Sequence, residues 1–247
     1  MRKHLTPIQA VYPVPKDFVI LAKRWHPDAI DILLGYIWQG FDKLADEEFD
    51  ANKADENLED DITYAAYCRI NDTISPFSPC QVIHQPLELE HRKSGGQAPH
   101  SDLGFRLRAS NVRSHFTTEA KVIRTEGGIS KYVSEITDNL LTGRYSAFSS
   151  VAAMLGYLFS GRPDATFKAI CNSLNSPLHP YPPFIDRNHR YSYHDRKTNN
   201  NRISSVFLCH HLLILFDKAN RIAQKCKKTQ KSISAQKEQK STRVEST

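Results

Sequence analysis

The segment from Asp102 to Ile123 limits the fold more than any other part of the chain, because its hydrophobicity repeats every second residue. Leu103, Phe105, Leu107 and Ala109 alternate with Asp102, Gly104, Arg106 and Arg108. After a short polar interval, Phe116, Thr118, Ala120 and Val122 alternate with Thr117, Glu119 and Lys121. Successive side chains of a strand point to opposite faces, so the pattern specifies two half-buried strands. They are close enough in sequence to form a hairpin. A two-residue loop at Ser110-Asn111 pairs Ala109 with Val112 and, counting back, Asp102 with Glu119. That register matches both apolar faces, and a slip of one residue would not. Asn tolerates the positive φ that such a loop needs. Glu119 and Lys121 then share a face, roughly 6–7 Å apart along the strand, with Asp102 beside them.

Helical spacing brackets this hairpin. Ile30, Leu33, Leu34, Ile37, Trp38, Phe41 and Leu44 make one stripe of a helix from Asp28 to Leu44, with Pro27 suited to its first position. A second helix is expected from Asp55 to Ile70, ended by Ser75-Pro76-Phe77-Ser78-Pro79. Cys80 to Leu89 reads as a strand and His91 to Ser101 as a polar loop. Beyond the hairpin, Gly127-Gly128 opens a helix through Ile129, Tyr132, Val133, Ile136, Leu140 and Leu141. Val151 to Phe159 suits a fully buried strand, its alanines leaving a helix open as the alternative, and Pro163-Asp164 starts a helix through Phe167, Ile170 and Leu174. Pro177 to Pro183 and the polar stretch Asp186 to Asn201 carry no periodic signal, and an apolar run ends at Phe216. Strands interleaved with helices that must cover both sheet faces indicate one α/β domain. The expected division is 1–53, an N-terminal extension with the long amphipathic helix; 54–217, the α/β core; and 218–247, a basic and largely disordered tail.

Composition narrows the class. A chain of 247 residues with 40% apolar content can bury one sizeable core. The densest apolar run, Val206 to Phe216, is short and interrupted by His210-His211, so no membrane span is expected. The basic tip Met1-Arg2-Lys3-His4 is followed by no apolar stretch, and the five cysteines are scattered without a C-x-x-C pair. Both features point to a cytoplasmic protein without a membrane partner. The net charge of +6 is local: from Lys218 onward nine Lys/Arg face two acids, whereas residues 1–217 carry 24 basic and 25 acidic groups. Asp42 to Asp61 holds ten acids against two lysines and reads as a solvated acidic face. No G-x-x-x-x-G-K-[ST] or G-x-G-x-x-G occurs, which argues against ATP hydrolysis and a Rossmann cofactor.

The Asp102, Glu119, Lys121 grouping has a specific chemical use. Neighbouring carboxylates repel unless a cation lies between them. Mg²⁺, with Mn²⁺ as a substitute, takes one or two carboxylates and keeps waters for phosphate oxygens. The metal acidifies a bound water, and a lysine orients or deprotonates the attacking water or offsets charge on the phosphate. Glu-x-Lys is weak evidence alone, since the tail carries another copy in Glu238-Gln239-Lys240. The central copy differs in its context: an apolar-flanked strand, an Asp on the matched face of the preceding strand, and a helix after it. The plainer reading is a cross-strand salt bridge on a solvated face.

The succession of acidic helix, strand, Asp-bearing strand, E-x-K strand and helix, from about Leu58 to Leu174, resembles the PD-(D/E)XK nuclease superfamily. The resemblance implies a restriction-endonuclease-like α/β fold, a mixed central sheet flanked by helices, and an Mg²⁺-dependent endonuclease. In that family the matching Asp102 and Glu119 bind the metal and Lys121 is catalytic; Glu59, on the first core helix, would complete the ligand set. Ser101 stands where the family pattern has proline, and Pro99 lies two residues earlier. Arg92, Lys93, Arg106, Arg108, Arg113 and Arg124 are placed to hold backbone phosphates. Ser192-Tyr193-His194-Asp195-Arg196 could stack a base or contact phosphate through Arg196, although an exposed loop is its plainer reading. The implied partner is nucleic acid, DNA rather than RNA, in restriction or anti-phage defence, with a second copy or a defence partner protein. The alternative is a catalytically inert nucleic-acid-binding or assembly subunit on the same fold.

Overall fold

The alternating pair becomes the spine of a mixed sheet. A computed structural model describes residues 27–45, 47–87, 98–108, 115–146, 149–196 and 205–216. The strands are β1 (Cys80–His84), β2 (Leu103–Leu107), β3 (Phe116–Ile123), β4 (Val151–Leu158), β5 (His179–Pro180), β6 (His189–Asp195) and β7 (Val206–Leu215). The helices are α1 (Pro27–Leu44), α2 (Asp55–Asn71), α3 (Ser130–Glu135) and α4 (Pro163–Leu174). All seven strands join in the order β1-β2-β3-β4-β7-β6-β5. The middle three, β3, β4 and β7, run parallel, and the outer pairings are antiparallel.

Each face of the sheet has its own core. On one side Ile30, Leu34, Ile37 and Phe41 of α1 and Leu58, Ile62 and Ile70 of α2 pack on Val82, Phe105, Phe116 and Tyr157. On the other, Ile129, Tyr132, Ile136, Phe167 and Ile170 pack on Ile123, Met154, Leu158 and Leu213. β4 lies between both layers and is buried at all eight positions, as the continuous apolar run of a central parallel strand requires. α1 and α2 approach closely at Gly40, where a Cβ would stand 3.1 Å from the backbone nitrogen of Ile70. The helix assigned above to an N-terminal extension is therefore packed into the main core.

Three expectations need correction. Asp186 to Asn201, read as lacking a regular element, contains β6, paired along its length with β7. Pro177 to Pro183 contributes the two-residue edge strand β5 and a 3₁₀ turn, Pro182–Phe184. The helix expected through Leu141 is α-helical only to Glu135 and continues as a π-helical turn, Ile136–Leu140. The acidic run is largely solvated, as expected, with Asp42, Glu48, Asp50, Glu56, Asp60 and Asp61 exposed, and part of it is paired across the surface. Asp42 pairs with Arg187 at 2.5 Å, Glu47 with Arg69 at 2.6 Å, Asp55 with Arg124 at 2.7 Å and Asp61 with Lys53 at 2.6 Å. His210 and His211 are both fully buried. They lie on opposite faces, one against Tyr181 and His189 and the other against Tyr132.

Candidate active site

The candidate site arises where two strands of unequal length run side by side. β2 begins at Leu103, whereas β3 continues past its partner to Ile123. Leu103 pairs with Thr118, Gly104 with Thr117 and Phe105 with Phe116, so Asp102 comes opposite Glu119, in the register expected from the alternation. The loop Ser110-Asn111 lies outside the described residues. Past Glu119, on the side away from β4, the β3 amides have no neighbouring strand among the described residues, and an unpaired buried amide is unfavourable. Two carboxylates fill that place. The Ala120 amide donates to Asp102 Oδ2 at 2.7 Å, and the Val122 amide donates to Glu59 Oε2 at 3.3 Å.

Lys121 closes the group. Its Nζ donates to Glu59 Oε1 at 2.7 Å and lies 3.8 Å from Glu135 Oε2. The Lys121 and Glu59 side chains keep 17% and 13% of their exposure, so the pair is mostly buried but still meets solvent. Glu119 is deeper, at 3% exposure, and its Oε1 is buried without a hydrogen-bond partner among the described residues. This differs from the open polar face expected for Glu119, because α3 and the π-helical turn cover that side of β3.

The electrostatics follow from burial among acids. Burial, then the neighbouring Asp102 and Glu135, push the Glu119 carboxyl well above the ordinary carboxylate range, with Lys121 opposing. Burial also raises Glu59, to about 7, against the attraction of Lys121. Burial works to lower the Lys121 ammonium, but Asp102, Glu59 and Glu135 outweigh it and hold the group above its usual value. Lys121 is thus a fixed cation, and the two glutamates hold protons more readily than free carboxyls do. Asp102 bears directly on Glu119, and neighbouring carboxylates repel unless a cation lies between them.

Glu135 and Tyr145 were not singled out in the sequence. Glu135 accepts a short hydrogen bond from Asn139 Nδ2, and Asn139 Oδ1 accepts from Arg144 Nη1 at 3.2 Å. The Tyr145 amide donates to the Asn139 carbonyl at 3.2 Å. Burial, with Glu119 and Glu135 nearby, raises the Tyr145 hydroxyl to about 12. The π-helical turn therefore ties the Arg144-Tyr145 turn to the carboxylates, and such turns are frequent at functional sites. A signal for Glu135 did exist: it follows Tyr132 by three residues and precedes Ile136, a carboxylate beside an otherwise apolar stripe.

The proposed phosphate contacts are placed differently from the ring of cations expected. Arg108 Nε donates to the carbonyls of Ser78 and Cys80, both at 3.2 Å. It sits six residues along β2 from Asp102, about 20 Å at the rise of a strand. Arg106 is exposed but four residues from Asp102, about 13 Å by the same rise. Arg124 is spent on Asp55 and on the carbonyls of Ala51 and Lys53, the latter at 2.6 Å. Arg196 is only 4% exposed. It stacks 3.8 Å above the Phe207 ring and donates to the carbonyls of Ser146 and Ser149 at 3.2 and 2.8 Å. Arg92, Lys93 and Arg113 lie outside the described residues.

Among the described residues, no group of three or more His, Cys, Asp or Glu side chains is gathered as a metal cage. The Asp102–Glu119 pair nonetheless has the chemistry of a hard-cation site: oxygen donors only, with one buried carboxylate oxygen left unpartnered. Among the described residues, no helix is long and apolar enough to cross a membrane. Comparison of the chain with family models, with curated proteins and with solved structures finds no match.

Proposed function

We propose that the chain is a divalent-metal-dependent nuclease that hydrolyses phosphodiester bonds of DNA on a restriction-endonuclease-like α/β core. The observation that carries the reading is the buried Glu119 oxygen, without a hydrogen-bond partner among the described residues, beside Asp102 and near a lysine fixed as a cation. A buried carboxylate left unsatisfied is destabilising, and such groups are kept where chemistry needs them. Asp102 and Glu119 would hold Mg²⁺ or Mn²⁺ as oxygen ligands. When bound, the metal supplies positive charge for the phosphate and acidifies a coordinated water.

The chain's own residues divide the remaining work. Lys121 stays protonated, so it orients the attacking water and offsets charge developing on the phosphate, and it does not act as the base. Glu59 has its titration brought near neutrality, which suits a group that takes up a proton at working pH. Both Glu59 oxygens are already engaged by Lys121 and Val122, which favours this role over that of a third metal ligand. Glu135 steadies Lys121 from the opposite side. Restriction or anti-phage defence, with a second copy or partner protein, is the biological setting the resemblance implies.

The test uses purified protein with plasmid, linear duplex, single strands and RNA, each with Mg²⁺, Mn²⁺ or EDTA. Metal-dependent cleavage that disappears in Glu119→Ala and Lys121→Ala, with folding retained, supports the assignment. Cleavage persisting in either variant overturns it. One observation favours a second reading, the inert nucleic-acid-binding or assembly subunit: Lys121 is closed on Glu59 at 2.7 Å, as a structural salt bridge would be. Salt-sensitive binding of nucleic acid without cleavage of any substrate would select that reading.

A further inference from the structure

Beside the carboxylates, on the α2 side of β1, three rings lie together. Tyr64 and Tyr67 of α2 have centroids 6.2 Å apart, and the His84 ring at the end of β1 lies 5.5 Å from Tyr64 and 5.7 Å from Tyr67. His84 stands opposite Leu103, the residue after Asp102, and the Gln85 amide donates to the Asp102 carbonyl at 3.0 Å. Tyr64 follows Glu59 by five residues of α2, a rise of about 7.5 Å.

Packing accounts for part of this cluster only. Tyr67 is half-buried against the α1–α2 core, but Tyr64 is 57% exposed. His84 Nε2 is buried with no hydrogen-bond partner among the described residues, an unfavourable arrangement for a ring present only to fill space. We propose that Tyr64, Tyr67 and His84 form a stacking subsite for an unpaired base of a DNA strand whose backbone runs past the Asp102–Glu119 pair. Every base offers a π face, so an exposed tyrosine in contact with two further rings stacks any of them without reading sequence. The subsite lies one strand end away from the proposed chemistry, so it would grip a nucleotide close to the bond being cut. In this role the subsite supplies the local grip that Arg108 and Arg124, committed to backbone carbonyls, do not.

The placement rests on the nuclease reading, and the test separates the two. The full-length chain carrying Glu119→Gln is titrated with short single-stranded DNA bearing 2-aminopurine at successive positions. One or two positions should be quenched on binding. Adding Tyr64→Ala should abolish that quench and weaken binding on the order of tenfold. Tyr64→Phe should retain both, and Tyr64→Leu, which keeps apolar bulk without a π face, should behave like Tyr64→Ala. Equal melting temperatures across the set exclude lost folding as the cause. Quench and affinity unchanged in Tyr64→Ala overturn the subsite, even if the unsubstituted chain cuts DNA. A Tyr64-dependent quench in a chain that cuts no substrate leaves the subsite standing and removes the nuclease reading.

Discussion

Replacing Glu119 by glutamine should make the protein more stable while silencing it. Glu119→Gln preserves volume and removes a buried carboxyl whose Oε1 has no donor and which sits among Asp102 and Glu135. The sign with pH follows from the raised value. Below the unfolded carboxyl's pKa, near 4.5, both states hold the proton and Glu119 carries no proton-linked cost. Above it the unfolded chain ionises while the folded chain does not. Stability therefore falls with rising pH, by about 1.4 kcal/mol per pH unit at most, until the folded value is passed. The amide cannot ionise and escapes this loss. A gain of about 1–3 kcal/mol at pH 8 is expected, the usual scale for an unsatisfied buried polar group. At roughly 2–4 °C per kcal/mol for a chain of this size, calorimetry or thermal melts resolve it easily. At pH 5 the difference should shrink to within about 1 kcal/mol. Adding Mg²⁺ should raise the melting temperature of the parent chain and leave that of the variant unchanged, because ligand binding to the folded state alone stabilises it. A variant less stable than the parent at both pH values would mean that Glu119 is a favourable structural partner, and the functional-strain argument would fail.

Two further outcomes are expected. Glu135→Gln should lower the cleavage rate by about tenfold with little change in KM, since it weakens the hold on Lys121 without touching substrate; an unchanged rate would remove Glu135 from the site. Acid should unfold the chain early: burial holds His189 well below the ordinary imidazole range and His210 and His211 at about 3. Their neutral folded forms contribute stability that is complete above pH 6.5 and lost as pH falls, at up to about 1.4 kcal/mol per unit for each histidine. Urea midpoints measured from pH 7 to 5 should fall accordingly, and less steeply in His210→Gln; a flat profile would refute the buried-neutral assignment.

What the sequence reveals, and what it conceals, follows from where each signal resides. The period-two alternation from Asp102 to Val122 sets a register that the β2–β3 ladder repeats, because one slipped residue would turn Phe105 and Phe116 to the wrong layer. The apolar stripe of α1 is equally plain, with Ile30 through Leu44 buried. β6 stayed hidden because its deeply buried positions are His189 and Ser192. These are polar residues made tolerable by Trp38, His210, His194 and His211, most of them distant in sequence. The arginines were visible as charge, but Arg108, Arg124 and Arg196 bond mainly to carbonyls, and every residue owns a carbonyl. No side-chain pattern announces such a partner. Glu135 depends on a helix that widens into a π turn, which apolar spacing alone does not encode.

The carboxylates that stand in for a strand beside β3 have an effect apart from any chemistry. A bare ladder edge invites another chain to add to it, and buried or inward-pointing charge is one of the ways proteins prevent that. Asp102 and Glu59 occupy the Ala120 and Val122 amides and so act as gatekeepers against intermolecular β-addition. Asp102→Ala should expose a sticky amide and promote self-association, whereas Asp102→Asn keeps an oxygen for it. The asparagine variant is accordingly the one in which lost activity can be interpreted without the confounding onset of aggregation.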